Sequence, residues 1–501
     1  MPCEPRTPAL ALLAAVVVPA AILAGQASPP VPLDDPHLPL FEHLIDRGTI
    51  ADPSPFVRPF RVSDALAALR AASRNADSTL VDRLIAVWTP PEPESWWSVT
   101  VRAGGEGFTA ARRDPLRPEG EGGFRVLGDV RGVAVLGPVV MVTRPTIEQR
   151  IAVDPDWTGQ RVSSDATCCR WHFPEAAIQY QQGPFRFHLG QVARNWGPVG
   201  IDGIAMSNVA YSRDDVAFEI GGRDLQVIST VGFLRDTIRD DGTPIRRYHV
   251  ASRIGMRLGR HWQLGGWQSA VLEGESRDVE GPFRNPMVLL PLINQYGLGD
   301  RDNNVMVGVQ LGWQSGTGLQ LQGELALDDL IQRNRENFPD RWAMTLRPSG
   351  PGPAGSTWRG IYTRASSLAF RASDPFESFT ERGVGLGRGW ADGDRVELRF
   401  ARPVSPQLLA TVTVSGYRQG ESRLADPIPE ERPIPGFLTG TVQRTLRLAG
   451  GLAGTIGPVD LSGELGVNSI TNDDHTAGRN RSAVEGRVRA VLRLGHRSRL
   501  E

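Results

Sequence analysis

The 501-residue chain is 40% hydrophobic, with a net charge of −1 and a mean hydropathy of −0.24. No stretch reaches the ~18 apolar residues that a spanning helix needs, which excludes a helical inner-membrane protein but not a wall of alternating strands. The balanced charge argues against a nucleic-acid partner. All 55 basic residues are Arg, so chemistry that depends on a Lys ammonium is excluded, Walker-type phosphate loops and Schiff-base catalysis included.

Residues 1–27 read as a cleaved export signal: Arg6, an apolar stretch from Ala9 to Ala24, then small residues at Gly25-Gln26-Ala27. Beyond Cys3 only the adjacent pair Cys168-Cys169 remains, which has no zinc spacing and stands either as two thiols or as a vicinal disulfide. A periplasmic helical domain is expected over 28–95. Its first helix runs through Leu40–Ile45 to a stop at Gly48, and its second is capped by Ser63-Asp64 and carries Leu66 and Leu69. Its third places Leu80, Leu84, Val87 and Trp88 on one face before Pro90-Pro91.

From Trp96 onward the period is two. Val305, Val307, Val309, Leu311 and Trp313 alternate with Met306, Gly308, Gln310, Gly312 and Gln314. Val396, Leu398 and Phe400 alternate with Arg395, Glu397 and Arg399, and Val488 to Leu494 alternate with Arg487, Arg489 and Arg493. One face is apolar and the other repeatedly charged, as a lipid-facing wall around a wet lumen requires. Short links at 259–261, 315–318, 404–407 and 456–458 alternate with long ones near 272–303, 328–357, 418–440 and 468–482. The expected fold is mainly β: a transmembrane antiparallel β-barrel over 96–501, of about 16–20 strands at roughly 20–25 residues per strand and connection. On this facing, a charge at Val309 or Leu321 is costly and one at Gln310 is tolerated.

The segment Gln191–Pro198, with its Asn195-Trp196-Gly197-Pro198 core, and the following Gly203–Asn208 resemble the Wzi-type capsule-assembly family, whose members carry a Trp-Gly-Pro-Gly turn and an apolar stretch ending in Ser-Asn. Val199 stands where that turn has its last Gly. Leu44–Ile50 and Pro59–Ala72 are similar to the family's N-terminal helices, and Gly299–Asn304 with Glu324–Asp329 resembles a turn and strand end of related barrels. The resemblance covers about residues 38–330. It implies a barrel of about 18 strands with a helical bundle near its mouth. It also implies a non-enzymatic role in the outer membrane of a Gram-negative bacterium: binding and organising capsular or other surface polysaccharide.

The candidate polysaccharide-binding residues are Trp196, Gly197, Pro198, Ser207, Asn208, Asp300, Asp302 and Asn303. Trp196-Gly197-Pro198 either presents an indole to the apolar face of a sugar or forms a structural turn. Asp300, Asp302 and Asn303 are oxygen donors of the kind Ca²⁺ takes, or ordinary turn formers in a solvated loop. Arg247, Arg253, Arg257, Arg395, Arg399, Arg487 and Arg489, with Glu324, Glu397, Glu464 and Glu485, either grip an acidic glycan or neutralise one another. Gly-x-Ser-x-Gly and His-Glu-x-x-His are both absent, and no metal or other cofactor is expected. The expected partners are the polysaccharide and outer-membrane lipid. The alternative function is a channel for small solutes or glycans, which the helical domain and the charged lumen should obstruct.

Overall fold

The computed structural model describes residues 27–72, 77–91, 95–110, 114–117, 120, 122–149, 170–209, 212–285, 288–290, 303–328, 339–381, 383–430 and 433–500. The signal-like segment ahead of Ala27, Cys168-Cys169, Asp300 and Asp302 lie outside them. Helices α1 (Leu38–Asp46), α2 (Val62–Arg70) and α3 (Ser78–Trp88) come first. Their apolar stripes meet in one core of Leu40, Phe41, Leu44, Leu66, Leu69, Leu84 and Trp88. The cap of α2 is Arg61 and not Ser63-Asp64. Arg61 pairs with Asp64 at 2.7 Å, and the Ser63 N–H donates to Ser28 Oγ at 2.9 Å.

The strands follow in chain order. They are β1 (Ser95–Phe108), β2 (Gly123–Leu136), β3 (Val139–Glu148), β4 (Arg170–Gln182), β5 (Phe185–Gln191) and β6 (Asp214–Gly221). Next come β7 (Leu225–Phe233), β8 (Pro244–Leu258), β9 (Trp262–Glu275), β10 (Asn303–Gln314), β11 (Gln320–Asp328) and β12 (Arg341–Pro351). The last are β13 (Thr357–Ala365), β14 (Gly393–Ser405), β15 (Leu408–Gln419), β16 (Gln443–Ile456), β17 (Val459–Thr471) and β18 (Asn480–Arg499). Each pairs antiparallel with its successor, and β18 returns to β1 through pairs such as Val99↔His496. The result is a closed barrel of 18 strands. Closure pairs each of these 18 strands on both sides, which is what hydrocarbon demands of any backbone within it.

The pleat assigns the faces. Val309 is 59% exposed on the outside, beside Leu311, Leu321 and Leu325, and an apolar belt continues through Val396, Leu398, Val412, Leu446 and Leu465. The stretch 328–357, read from sequence as one long connection, contains strand β12, and a short turn at 352–356 follows it. Pro348, Gly350 and Pro351 interrupt the periodicity there, although Met344 and Leu346 still alternate with Thr345 and Arg347. A second departure lies outside the wall. The connection after β9 folds down so that Val279, Phe283 and Leu290 cover Val250, Ala270, Leu272 and Val305. Those outward residues meet protein at the long-loop end of the barrel.

Candidate functional site

The helical domain sits in the barrel mouth at the short-turn end, held by two carboxylates, one buried and one partly exposed. Asp46, at the end of α1, accepts from Arg359 Nε at 3.1 Å and from a terminal nitrogen of Arg359 at 2.7 Å, and it also pairs with Arg347. Burial alone would raise its carboxyl, but Arg347 and Arg359 hold it below the usual value. Asp34 is gripped by Arg144 at 2.7 and 3.0 Å and by Arg102 at 3.2 Å. There too desolvation is overcome, by Arg102, Arg489 and Arg131. His43 lies against Thr357 Oγ1 at 3.0 Å, and burial followed by Arg47 lowers it to about 4.

A second tier is the connection between β5 and β6. Asn195 and Arg58 exchange backbone hydrogen bonds at 2.8 and 2.9 Å, which joins this connection to the helical domain. The Asn195 amide donates to Ile201 O at 2.8 Å and its oxygen accepts the Gly203 N–H at 2.7 Å. The chain is thereby pinched so tightly that a Cβ at Gly197 would lie 2.6 Å from Gly203 Cα. Glycine is required at that approach. Wall residues complete the loop: Gln322 accepts the Val199 N–H, Glu324 accepts the Ile204 N–H, and Gln310 donates to Trp196 O. Trp267 Nε1 and Gln310 Nε2 also donate to Glu324, at 3.1 and 3.0 Å.

The third tier is the connection between β13 and β14, folded inward from the long-loop end. Its Phe370, Phe379 and Leu386 pack with Trp196, Ile204, Met206 and Trp267 in a core inside the barrel. Ser207 is tied to it by its N–H to Leu386 O at 3.0 Å and its hydroxyl to Gly387 O. Arg247 donates to Phe376 O, Ser378 O and Thr380 O.

The sequence candidates are now placed. Trp196 is 1% exposed, so the indole is a core side chain and turns no free face to a ligand. Gly197, Pro198 and Ser207 are buried with it, while Asn208 is exposed. Asn303 opens β10, and Asp300 and Asp302 lie outside the described residues. Gln310 is 2% exposed and bonded to Trp196, Glu324 and Arg253, which corrects the expectation that it tolerates a charge. Arg247 and Arg253 likewise serve the plug and not open water.

A cavity of about 490 Å³ lies between residues 49–71 and the β5–β9 side of the wall, and another of about 340 Å³ lies against β14–β18 and β1. Arg447 there is spent on Glu464 at 2.7 Å and Glu485 at 3.6 Å. Arg395, Arg399 and Arg487 face the cavity without a hydrogen bond or ion pair to the described residues. Asp202, on the second tier, is exposed within electrostatic range of Arg117 and Arg395. Desolvation outweighs those two arginines there and raises its carboxyl. This set of groups can take a carboxylate or a hydroxyl-rich ring through charge-assisted hydrogen bonds.

The architecture is that of outer-membrane β-barrels. No family model and no curated protein matches the sequence. Among solved structures the chain is similar to Wzi of Escherichia coli, an outer-membrane protein involved in group 1 capsule assembly and a carbohydrate-binding β-barrel. The TM-score is 0.62 at 13% identity, over 93% of this chain and 99% of that one. Pseudomonas aeruginosa OpdK, solved with vanillate, scores 0.43 at 10% identity over 80% of this chain and 99% of that one. Acinetobacter baumannii OccAB1 scores 0.45 at 8% identity over 80% and 96%.

Proposed function

We propose that the protein resides in the outer membrane and binds and organises a surface polysaccharide there without cleaving it. One observation carries this reading: the lumen is occupied from end to end by three tiers of the protein's own chain, while ionic groups still face the remaining water. A solute path has to be unobstructed, whereas a scaffold that holds a polymer does not. The fold likeness to a carbohydrate-binding barrel supports the same reading. An acidic polymer suits the unpaired arginines, and several weak contacts along one chain raise its overall avidity.

The test is retention of the producer's acidic surface polymer by the purified full-length protein, together with conductance in planar bilayers. Retention that weakens with salt, no shortening of the polymer, and little current from the intact protein are expected. Deleting residues 38–92 should then raise the current. Large stable currents from the intact protein would replace this reading with a channel, and a shortened polymer would replace it with a hydrolase.

A further inference from the structure

The outer face of the barrel carries a basic row that the plug and the lumen do not use. Strand registers place Arg364 opposite Asp394, Asp394 opposite Arg418, and Arg418 opposite Arg444, on four consecutive strands, β13 to β16. The pleat turns all four outward, since Val396, Leu398, Val414, Leu446 and Leu448 share their faces and are exposed. The four strands meet the row at their long-loop ends, directly above that apolar belt. Three intervals of about 4.8 Å make the row roughly 14 Å wide.

Two of the three guanidiniums are held in place by aromatic rings, and the third stands exposed. The Arg364 carbon lies 3.6 Å from the Phe437 ring centroid and 5.1 Å from that of Trp342, and Arg418 lies 5.8 Å from Phe437. The connection between β15 and β16 thus drops an aromatic wedge between two arginines, which fixes their planes by cation–π contact. Arg418 binds Asp394 and keeps 48% of its side chain exposed, Arg364 is half-buried with its Nε shut off from solvent, and Arg444 is exposed without an ion pair to the described residues. Three arginines share the row with one carboxylate, all at the height where an apolar wall gives way to headgroups. Arginine matches phosphate oxygens in a fixed fork, and basic groups flanking a membrane-facing wall attract anionic headgroups.

We propose that Arg364, Arg418 and Arg444 form a headgroup site for a phosphorylated glycolipid of the outer leaflet, whose acyl chains lie along the belt beneath them. The full-length protein is reconstituted with bis-phosphorylated lipid A or with its dephosphorylated form, and lipid retention is read by native mass spectrometry. Retention of the phosphorylated form by the unaltered protein should exceed that of the dephosphorylated form, and this comparison needs no variant. Retention should fall about fivefold for each arginine removed in the series R364A, R418A and R444A. Heat-modifiable gel mobility verifies that each variant is a folded barrel. R402A, an exposed outward arginine at the short-turn end of β14, should leave retention unchanged. Equal retention of the two lipids, or undiminished retention by the folded triple variant, overturns the proposal. Displacement of the lipid by excess inorganic phosphate would make this a free-anion site. Loss of polymer retention without loss of lipid would assign the row to the polysaccharide.

Discussion

The two sides of the lumen use the same sequence pattern for opposite ends. Along β8–β13, inward polar side chains such as Arg253, Gln310, Gln322, Glu324 and Arg347 are consumed by backbone and carboxylate groups of the plug. Along β14–β18, residues of the same types on the same pleat face about 340 Å³ of open space. Inward polarity therefore does not mark a water-filled channel. It marks any interior whose filling has polar groups to satisfy, and only the partners distinguish a dry side from a wet one.

Substitutions on the dry side should break the plug, and those on the wet side should leave it standing. Trp196→Ala opens a void in the core formed with Ile204, Met206, Trp267 and Phe379, and should cost about 3–5 kcal/mol in urea unfolding in detergent. If stability is unchanged while polymer retention falls, the indole is a ligand contact after all. Asp46→Ala leaves buried Arg347 and Arg359 without their shared carboxylate, and a comparable loss of about 3–5 kcal/mol is expected by the same measurement.

Acid should act on the same anchor. Burial depresses His43 from its ordinary 6.5 to about 4, so between those values the unfolded chain binds the proton and the folded one does not. Its contribution is full above pH 6.5 and is lost as pH falls to about 4. That loss is about 3 kcal/mol, and His43→Gln should flatten the slope of stability against pH over this window. The smallest effect separates the outside of the wall from its wet inside. Val309→Arg, on the lipid-facing side, should cost about 2–4 kcal/mol, whereas Thr411→Arg, pointing into the cavity, should stay within about 0.5 kcal/mol. Equal costs at these two positions would contradict the facing of the wall.

The barrel was legible because its rule is local. Period-two alternation and the order of short and long links are read a few residues at a time, and both survive in β10, β14 and β18. The helices were legible for the same reason, although the second ends at Arg70, short of the Asn75 that the sequence offers as its stop. The interior was not. Trp196-Gly197-Pro198 reads as either a sugar-facing turn or a structural one, because the partners that decide it, Gln310, Glu324 and Leu386, lie more than 100 residues away in sequence. Asp34 and Asp46 carry no signal at all, since an aspartate at the end of a helix or in a Pro-rich stretch is ordinary until two arginines of distant strands reach it. The outer basic row was equally hidden, because Arg364, Arg418 and Arg444 become neighbours only through register.

The seam between β1 and β18 bears on how the molecule is made. Val99 pairs with His496, so the ring cannot shut until its last strand has been delivered, and every ladder bond of that seam closes a loop as long as the barrel itself. The helices that fill the mouth are encoded ahead of β1, and the second and third tiers lie within the wall's own connections. The contents are therefore available before the container is finished. Arg102, on the first strand, takes Asp34 of the preceding domain, and Arg493, on the last, is paired with Asp460 beside it. A chain that loses its plug contacts would reach the closing step as an open curl of strands around nothing. The yield of closed barrel during biogenesis would then report on those contacts before any equilibrium measurement does.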